Sequence, residues 1–131
     1  MPKKFLRFYW KTILFCILIF VLSSVTFKSL PDAAKFQNSD KLTHAIMYVV
    51  LGFIVFFEFQ KDTFFKAKYK YWLAGIFLFL VIFGGLIEIA QGTFFKPRTS
   101  EFADWIADIV GLTVGYAIGK LTVKTKKQSC K

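Results

Sequence analysis

The chain has 131 residues, of which 56% are hydrophobic and 20% aromatic, and its formal net charge is +10. Such an apolar composition excludes an ordinary soluble domain and indicates one compact unit embedded in a membrane. The basic residues stand at the ends of apolar runs and are not collected on one polar surface, which argues against binding to nucleic acid.

Four apolar runs predict the secondary structure, because each approaches the roughly 20 residues with which a helix crosses about 30 Å of hydrocarbon. We place these spans at about residues 8–27, 42–59, 71–91 and 101–121. The predicted fold class is all-α, an integral membrane bundle of four transmembrane helices, with a single domain over residues 1–131.

Span one follows a basic start, so a cleaved signal peptide is an alternative, with Ser23 and Ser24 as small residues at the cleavage point. We favour an uncleaved anchor, since the apolar stretch is longer than the hydrophobic region of a typical signal peptide. Cleavage would also leave three spans with conflicting loop charges.

The loop charges predict the orientation, because short loops rich in Lys and Arg stay in the cytoplasm. With a cytoplasmic N-terminus, that side holds Lys3, Lys4, Arg7, Lys11, Lys61, Lys66, Lys68, Lys70, Lys120, Lys124, Lys126, Lys127 and Lys131. The outer side holds Lys28, Lys35, Lys41, Lys96 and Arg98. We therefore predict a multi-pass protein of the plasma (inner) membrane, with both termini cytoplasmic and the lipid bilayer as a partner.

The cytoplasmic ends of the spans carry aromatic residues that suit an interfacial belt, namely Tyr9, Trp10, Tyr71 and Trp72. Residues 61–70 form a short basic turn between spans two and three. Apart from lysines, these inner ends offer Glu58, so we expect the polar side chains of the bundle to concentrate at the outer ends.

Span four carries Gly111, Gly115 and Gly119 at four-residue spacing, which places a smooth stripe on one helix face. Asp104 and Asp108 lie on the same face, because steps of about three or four residues return to one side of a helix. We favour packing of this stripe within the bundle over homodimerisation, and we expect both acids to point inward.

Acids inside strongly hydrophobic stretches are the most informative feature, because a lipid-exposed charge at a helix centre costs roughly 2.5 to 3.5 kcal/mol. The predicted topology brings such acids and other polar residues to the outer ends of spans two, three and four: Asp40, His44, Tyr48, Glu88, Gln91, Asp104 and Asp108. Arg98 and Glu101 stand in the loop above them. The arrangement predicts a polar pocket that opens outward.

Taken singly, each of these residues except Glu88 also has a structural explanation, such as a hydrogen bond from His44 to a carbonyl. Glu88 lies deeper in its span and needs a partner, for which Arg98 is the first candidate and His44 the second. Together the residues favour a site. Glu88 and His44 are the candidate general acid or base, Arg98 would hold an anionic group, and Asp104 would orient His44 or Arg98. The candidate binding residues are Asp40, Lys41, Tyr48, Gln91, Glu101 and Asp108. A nucleophile with a neighbouring base is missing from the pattern, which argues against covalent acyl transfer.

A metal-dependent variant of this site would use His44, Glu88, Asp104 and Asp108 as ligands, and the oxygen majority would suit Mg²⁺ or Mn²⁺. The sequence has no short ligand motif of the His-x-x-x-His kind, so we assign no metal ligand, and the cofactor is left unknown.

The order and spacing of the polar residues resemble the VanZ family of small bacterial membrane proteins. The matching elements are Asp40-Lys41-x-x-His44-x-x-x-Tyr48-x-x-Leu51, Glu88-x-x-Gln91, Arg98 and Asp104-x-x-x-Asp108-x-x-Gly111. Asp108 departs from the family pattern, which usually has Asn there. The resemblance implies a role in the cell envelope, with low-level resistance to the glycopeptide antibiotic teicoplanin as the associated activity.

Two classes of function follow from these observations. The first is an enzyme or binding protein for a lipid-linked envelope precursor, or for a glycopeptide, at the outer leaflet. The second is a non-catalytic protein that responds to protons or ions, or a structural module whose buried acids only fix helix packing and support a partner. The sequence leaves open whether the protein is an enzyme and what its oligomeric state is.

Overall fold

The structure is a computed structural model that describes residues 2–24, 39–94 and 102–129. Within these ranges the chain forms α1 (Pro2–Ser24), α2 (Ser39–Lys61), α3 (Phe64–Lys68), α4 (Trp72–Thr93) and α5 (Phe102–Ser129), and these residues contain no strand. The predicted all-α fold class is confirmed.

In the described part of the chain, four helices are long and apolar enough to cross a membrane: Lys3–Ser24, Lys41–Lys61, Trp72–Phe94 and Phe102–Val123. The protein is therefore a multi-pass membrane protein. The helices extend beyond the predicted spans at several ends, since α1 begins at Pro2 and α5 continues to Ser129. Lysine is a good helix former, so a basic flank need not end a helix where the apolar run ends.

The short turn predicted at residues 61–70 contains the helix α3, which the sequence analysis did not anticipate. Asp62 explains its start, because Asp62 Oδ1 accepts a hydrogen bond from the Phe65 backbone N–H at 2.9 Å. This contact satisfies a donor that the first turn of a helix leaves without a partner.

The bundle is apolar toward the lipid and more polar inside. Large side chains such as Leu14, Phe79 and Leu86 are 59%, 63% and 59% exposed, as expected of surfaces that face hydrocarbon chains. The buried set includes Leu51, Leu80 and Leu112, but also several acids and a histidine. The interior therefore holds the groups that lipid would not tolerate.

The closest helix pair is α2 against α5, and glycines make the approach possible. A Cβ on Gly111 would lie 2.5 Å from the Ala45 carbonyl oxygen. A Cβ on Gly115 would overlap the Val49 carbonyl, and one on Gly52 would overlap that of Leu112. The glycine stripe of the fourth span thus packs within the chain, as the sequence analysis favoured, and brings two backbones into contact.

Successive spans run antiparallel, which gives the bundle two distinct ends. At the end that we call the His44 end, Gln91 Nε2 of α4 donates a hydrogen bond to the Ser23 carbonyl of α1 at 3.2 Å. At the opposite end, called the Tyr9 end, the Tyr9 hydroxyl donates to Asp62 Oδ2 at 2.5 Å. Each end therefore gathers residues that are distant in sequence.

We expect Gly115→Ala to destabilise the protein by about 2–3 kcal/mol, because its methyl group would force α5 away from the Val49 carbonyl. Gly75→Ala is the matched control, since a Cβ there meets nothing within 4 Å, and its stability should change by no more than about 1 kcal/mol. Thermal unfolding of both variants in detergent measures the difference. Equal stability of the two would contradict the close α2–α5 contact.

Candidate functional site

Three ionisable side chains meet in the interior at the His44 end, each from a different helix. His44 Nδ1 lies 3.3 Å from Asp108 Oδ1 and 3.7 Å from Glu88 Oε1. One ligand-type atom from each residue lies within 4.8 Å of the others, and all three residues are buried. We call this set the His44 cluster.

The α2–α5 contact explains why His44 and Asp108 meet. The Ala45 carbonyl packs on Gly111. His44 immediately precedes Ala45, and Asp108 lies about one turn before Gly111, so the two side chains come close together. Glu88 comes from α4, which approaches through Gly84: a Cβ there would lie 3.0 Å from the Tyr48 hydroxyl and 3.1 Å from Asp108 Oδ2. Small residues on α4 and α5 thus make room for the polar groups.

Tyr48 and Asp104 extend the His44 cluster along α2 and α5, and both are buried. Asp104, one turn before Asp108, faces inward as its spacing predicted. Neither the Tyr48 hydroxyl nor either Asp108 oxygen has a hydrogen-bond partner among the described residues, and the same is true of His44 Nδ1. Buried polar atoms without a hydrogen bond destabilise a fold by about 1–3 kcal/mol each, so this arrangement suits the reception of a ligand.

A cleft of about 400 Å³ reaches the His44 cluster from the lipid-facing side of the bundle. It lies between α4 and α5, and its lining comprises Ile82, Gly85, Leu86, Glu88, Ile89, Phe102 and Trp105. Trp105 is held in place by a 2.9 Å hydrogen bond from its Nε1 to the Val81 carbonyl. Glu88 thus belongs to the buried His44 cluster and also lines an apolar cleft.

The other predicted site residues have different positions. Gln91 is buried, but its amide links α4 to the Ser23 carbonyl and is not part of the His44 cluster. Lys41 is half-buried at the start of α2. The Asp40 side chain, Arg98 and Glu101 lie outside the part of the chain that the structure describes, so their predicted roles stay predictions.

A second polar cluster at the Tyr9 end was missed by the sequence analysis. The α1 backbone departs from helical geometry at Tyr9, where φ is −117° and ψ is 24°. Beyond this kink, Glu58 accepts hydrogen bonds from the backbone N–H groups of Lys11 and Thr12 at 2.9 and 3.1 Å, and from the Thr12 hydroxyl at 2.6 Å. The carboxylate of α2 thereby ties down the kinked segment of α1.

Tyr9 and Trp72 belong to this second cluster, and Tyr9 is buried within the bundle instead of facing the membrane interface as predicted, whereas Trp72 is half-buried. The Tyr9 side chain is buried, its hydroxyl donates to Asp62, and Trp72 Nε1 donates to the Tyr9 oxygen at 2.9 Å. Trp10 and Tyr71 are exposed, as a belt position requires. The sequence did contain one signal: Glu58 and Asp62 are four residues apart. Asp62 lies just past the end of α2, but its backbone N–H still donates to the Glu58 carbonyl at 3.0 Å, so both acids are on one side of the chain.

A scan against protein-family models and searches of curated proteins and of solved structures gave no match to this chain. The class that the structure defines is a multi-pass α-helical membrane protein with a buried His, Glu and Asp cluster near one end. The resemblance to the VanZ family stays a prediction from the motif pattern.

We expect Tyr9→Phe to lower stability by about 1–3 kcal/mol, because Asp62 Oδ2 would lose its donor and Trp72 Nε1 its acceptor. Tyr71→Phe is the matched control, since that side chain is 73% exposed, and its effect should stay within about 0.5 kcal/mol. Unfolding of both variants in the same detergent provides the comparison. A Tyr9→Phe variant as stable as Tyr71→Phe would mean that the cluster contributes nothing to the fold.

Proposed function

We propose that the protein is a VanZ-like protein of the plasma membrane that binds, or acts on, a lipid-linked cell-envelope molecule at the outer leaflet. The observation that carries the proposal is the position of Glu88, which lines both an apolar cleft open to lipid and a buried polar cluster. A lipid-linked molecule has the same two parts, an apolar chain and a polar head.

The distribution of charge supports an outward-facing site. At the Tyr9 end, basic residues are numerous: Lys3, Lys4, Arg7, Lys11, Lys61, Lys66, Lys68 and Lys70. At the His44 end, the described residues include Lys41 as a basic group. Because basic loops stay in the cytoplasm, this asymmetry favours an outer position for the His44 cluster and cytoplasmic termini.

The cleft favours a substrate that enters sideways from the bilayer. Its walls are aliphatic and aromatic, with Phe102 and Trp105 on α5 facing Ile82 and Ile89 on α4. Such walls suit an acyl or isoprenoid chain, since they offer it the same apolar surroundings as the lipid it leaves. The head group would then come to Glu88.

In this proposal the side chains of the His44 cluster exchange protons with the head group. Glu88 is nearest to the cleft and serves as general acid or base, with His44 behind it as the partner that shares the proton. The Asp108 carboxylate, with Oδ1 3.3 Å from His44 Nδ1, attracts the protonated imidazole and so takes the role first expected of Asp104. Arg98 stays a candidate for binding an anionic head group.

A relay of protons or ions across the whole membrane is less well supported. The two polar clusters are separated by a layer of apolar side chains that are 0–1% exposed, namely Ile19, Leu51, Val55, Leu80 and Leu112. A continuous pathway needs polar groups or water through this layer. The apolar layer favours a site that works from one side.

We expect wild-type protein to protect a bacterial host against teicoplanin, and Glu88→Gln and His44→Ala each to abolish that protection. Thr113→Val is the matched control, because the Thr113 hydroxyl is exposed and bonds only within its own helix to the Ile109 carbonyl. Inhibitory concentrations are measured alongside the membrane abundance of each variant.

Equal protection by all variants would leave the buried acids with a structural role only. A wild type that gives no protection would exclude a role in glycopeptide resistance. The lipid-binding experiment would then be the test of a role in the cell envelope.

Lipid binding is tested by narrowing the cleft. Ile89→Trp places a larger side chain at the mouth of the cleft, beside Glu88, and we expect it to reduce co-purified isoprenoid-phosphate lipid at least about tenfold, equivalent to about 1.4 kcal/mol of binding free energy. Leu78→Trp is the control, since Leu78 lies on the same helix, is 61% exposed as Ile89 is, and does not line the cleft. Mass spectrometry of extracted lipid measures both. The same lipid content in both variants would exclude this entrance.

A further inference from the structure

We propose that His44, Glu88 and Asp108 form a binding site for one divalent transition-metal ion. The inference concerns the same place as the proposed function and replaces the proton exchange assigned there to His44 and Glu88, because atoms that bind a metal ion do not carry a proton. It does not depend on lipid binding, because metal binding can be measured without any lipid substrate. The metal-dependent variant raised from the sequence had Asp104 as a fourth ligand, whereas the structure groups His44, Glu88 and Asp108.

The spacing of the three side chains is close to that of ligands around an ion, since their ligand-type atoms all lie within 4.8 Å of one another. A divalent metal binds imidazole nitrogen and carboxylate oxygen at about 2.0–2.2 Å, so neighbouring ligand atoms lie about 3.0–3.6 Å from one another. His44 Nδ1 lies 3.3 Å from Asp108 Oδ1 and 3.7 Å from Glu88 Oε1. Charge-assisted N–H···O hydrogen bonds are shorter, about 2.7–2.9 Å, so direct pairing accounts less well for these distances.

Buried polar atoms without a hydrogen bond point to the same conclusion. His44 Nδ1 and both Asp108 oxygens are buried and have no hydrogen-bond partner among the described residues. The Asp108 side chain is 2% exposed, so bulk water does not compensate it. A metal ion would satisfy His44 Nδ1 and one Asp108 oxygen at once. The Tyr48 hydroxyl and Asp108 Oδ2 both lie beside Gly84, 3.0 and 3.1 Å from the position that a Cβ there would take.

The charges within the cluster favour a divalent cation over a proton on the histidine. Two carboxylates and a neutral imidazole together carry a charge of −2, which one divalent ion cancels. A proton on His44 would cancel one of these two negative charges, whereas a divalent ion cancels both.

The ligand set indicates the class of ion. One imidazole nitrogen with two carboxylates suits Mn²⁺, Fe²⁺ or Zn²⁺ better than Ca²⁺, which prefers oxygen alone. Three protein ligands also leave coordination positions open, and Glu88 borders the cleft from which another ligand would come. A phosphate oxygen suits such an open position, which agrees with a lipid-linked phosphate as substrate.

Mn²⁺ is the probe for the test, because its electron paramagnetic resonance reports both binding and ligand identity. We expect purified, metal-stripped protein in detergent to bind one Mn²⁺ per chain, with an echo modulation from a directly bound imidazole nitrogen. His44→Ala should remove the nitrogen signal, and His44→Ala and Asp108→Asn should each weaken binding at least about 100-fold. His44→Gln is a second variant that preserves a polar side chain if the alanine variant does not fold.

Glu58→Gln is the matched control, because it neutralises a buried carboxylate of the same helix α2 at the Tyr9 end. Its Mn²⁺ affinity and nitrogen signal should equal those of the wild type. The proposal is overturned if the wild type binds no Mn²⁺ at millimolar concentration, if bound Mn²⁺ shows no nitrogen coupling, or if His44 variants bind as the wild type does. If Ile89→Trp loses its co-purified lipid but binds Mn²⁺ as the wild type does, then lipid entry and metal binding are tested independently, and either can fail alone.

Discussion

The contact between α2 and α5 is the constraint on which the rest of the structure depends. In a bilayer, helices gain little from hiding apolar surface from each other, so close packing and polar contacts must hold them together. Gly52, Gly111 and Gly115 let the two backbones touch, and that contact sets the register between the helices. The register brings His44 level with Asp108, so the polar cluster follows from the glycines.

The two polar clusters differ in how well their groups are satisfied. At the Tyr9 end, Glu58 accepts three hydrogen bonds, and Asp62 accepts from Tyr9 and from the start of α3. At the His44 end, buried atoms of His44, Tyr48 and Asp108 have no such partner among the described residues. A satisfied network stabilises a fold, whereas a network with open positions is typical of a site that awaits a ligand. The contrast favours a structural role for the Tyr9 end and a ligand site at the His44 end.

Much of the fold could be predicted because hydrophobic length and charge are local properties of the sequence. The four apolar runs became four spanning helices, and the spacing of Asp104, Asp108 and the glycines correctly placed them on one inward face. The candidate site was predicted less completely. Gln91 was grouped with the acids because it lies one turn from Glu88, but its amide reaches Ser23 of α1, a contact that no spacing within α4 reveals. Tyr9 was assigned to the interface because aromatic residues are common there, whereas its hydroxyl pairs with an acid 53 residues away.

The sequence by itself determined the class of protein, the number of spanning helices and the presence of acids that could not face lipid, because these depend on the free energy of placing each side chain in hydrocarbon. Only the tertiary structure decided which groups meet. It joined His44 to Glu88 and Asp108, opened a cleft beside Glu88, and enclosed Tyr9 with Asp62 and Trp72. The physical reason is that distances of a few ångströms between different helices depend on how closely and in which register the helices pack, and side chains from the whole bundle set that packing together.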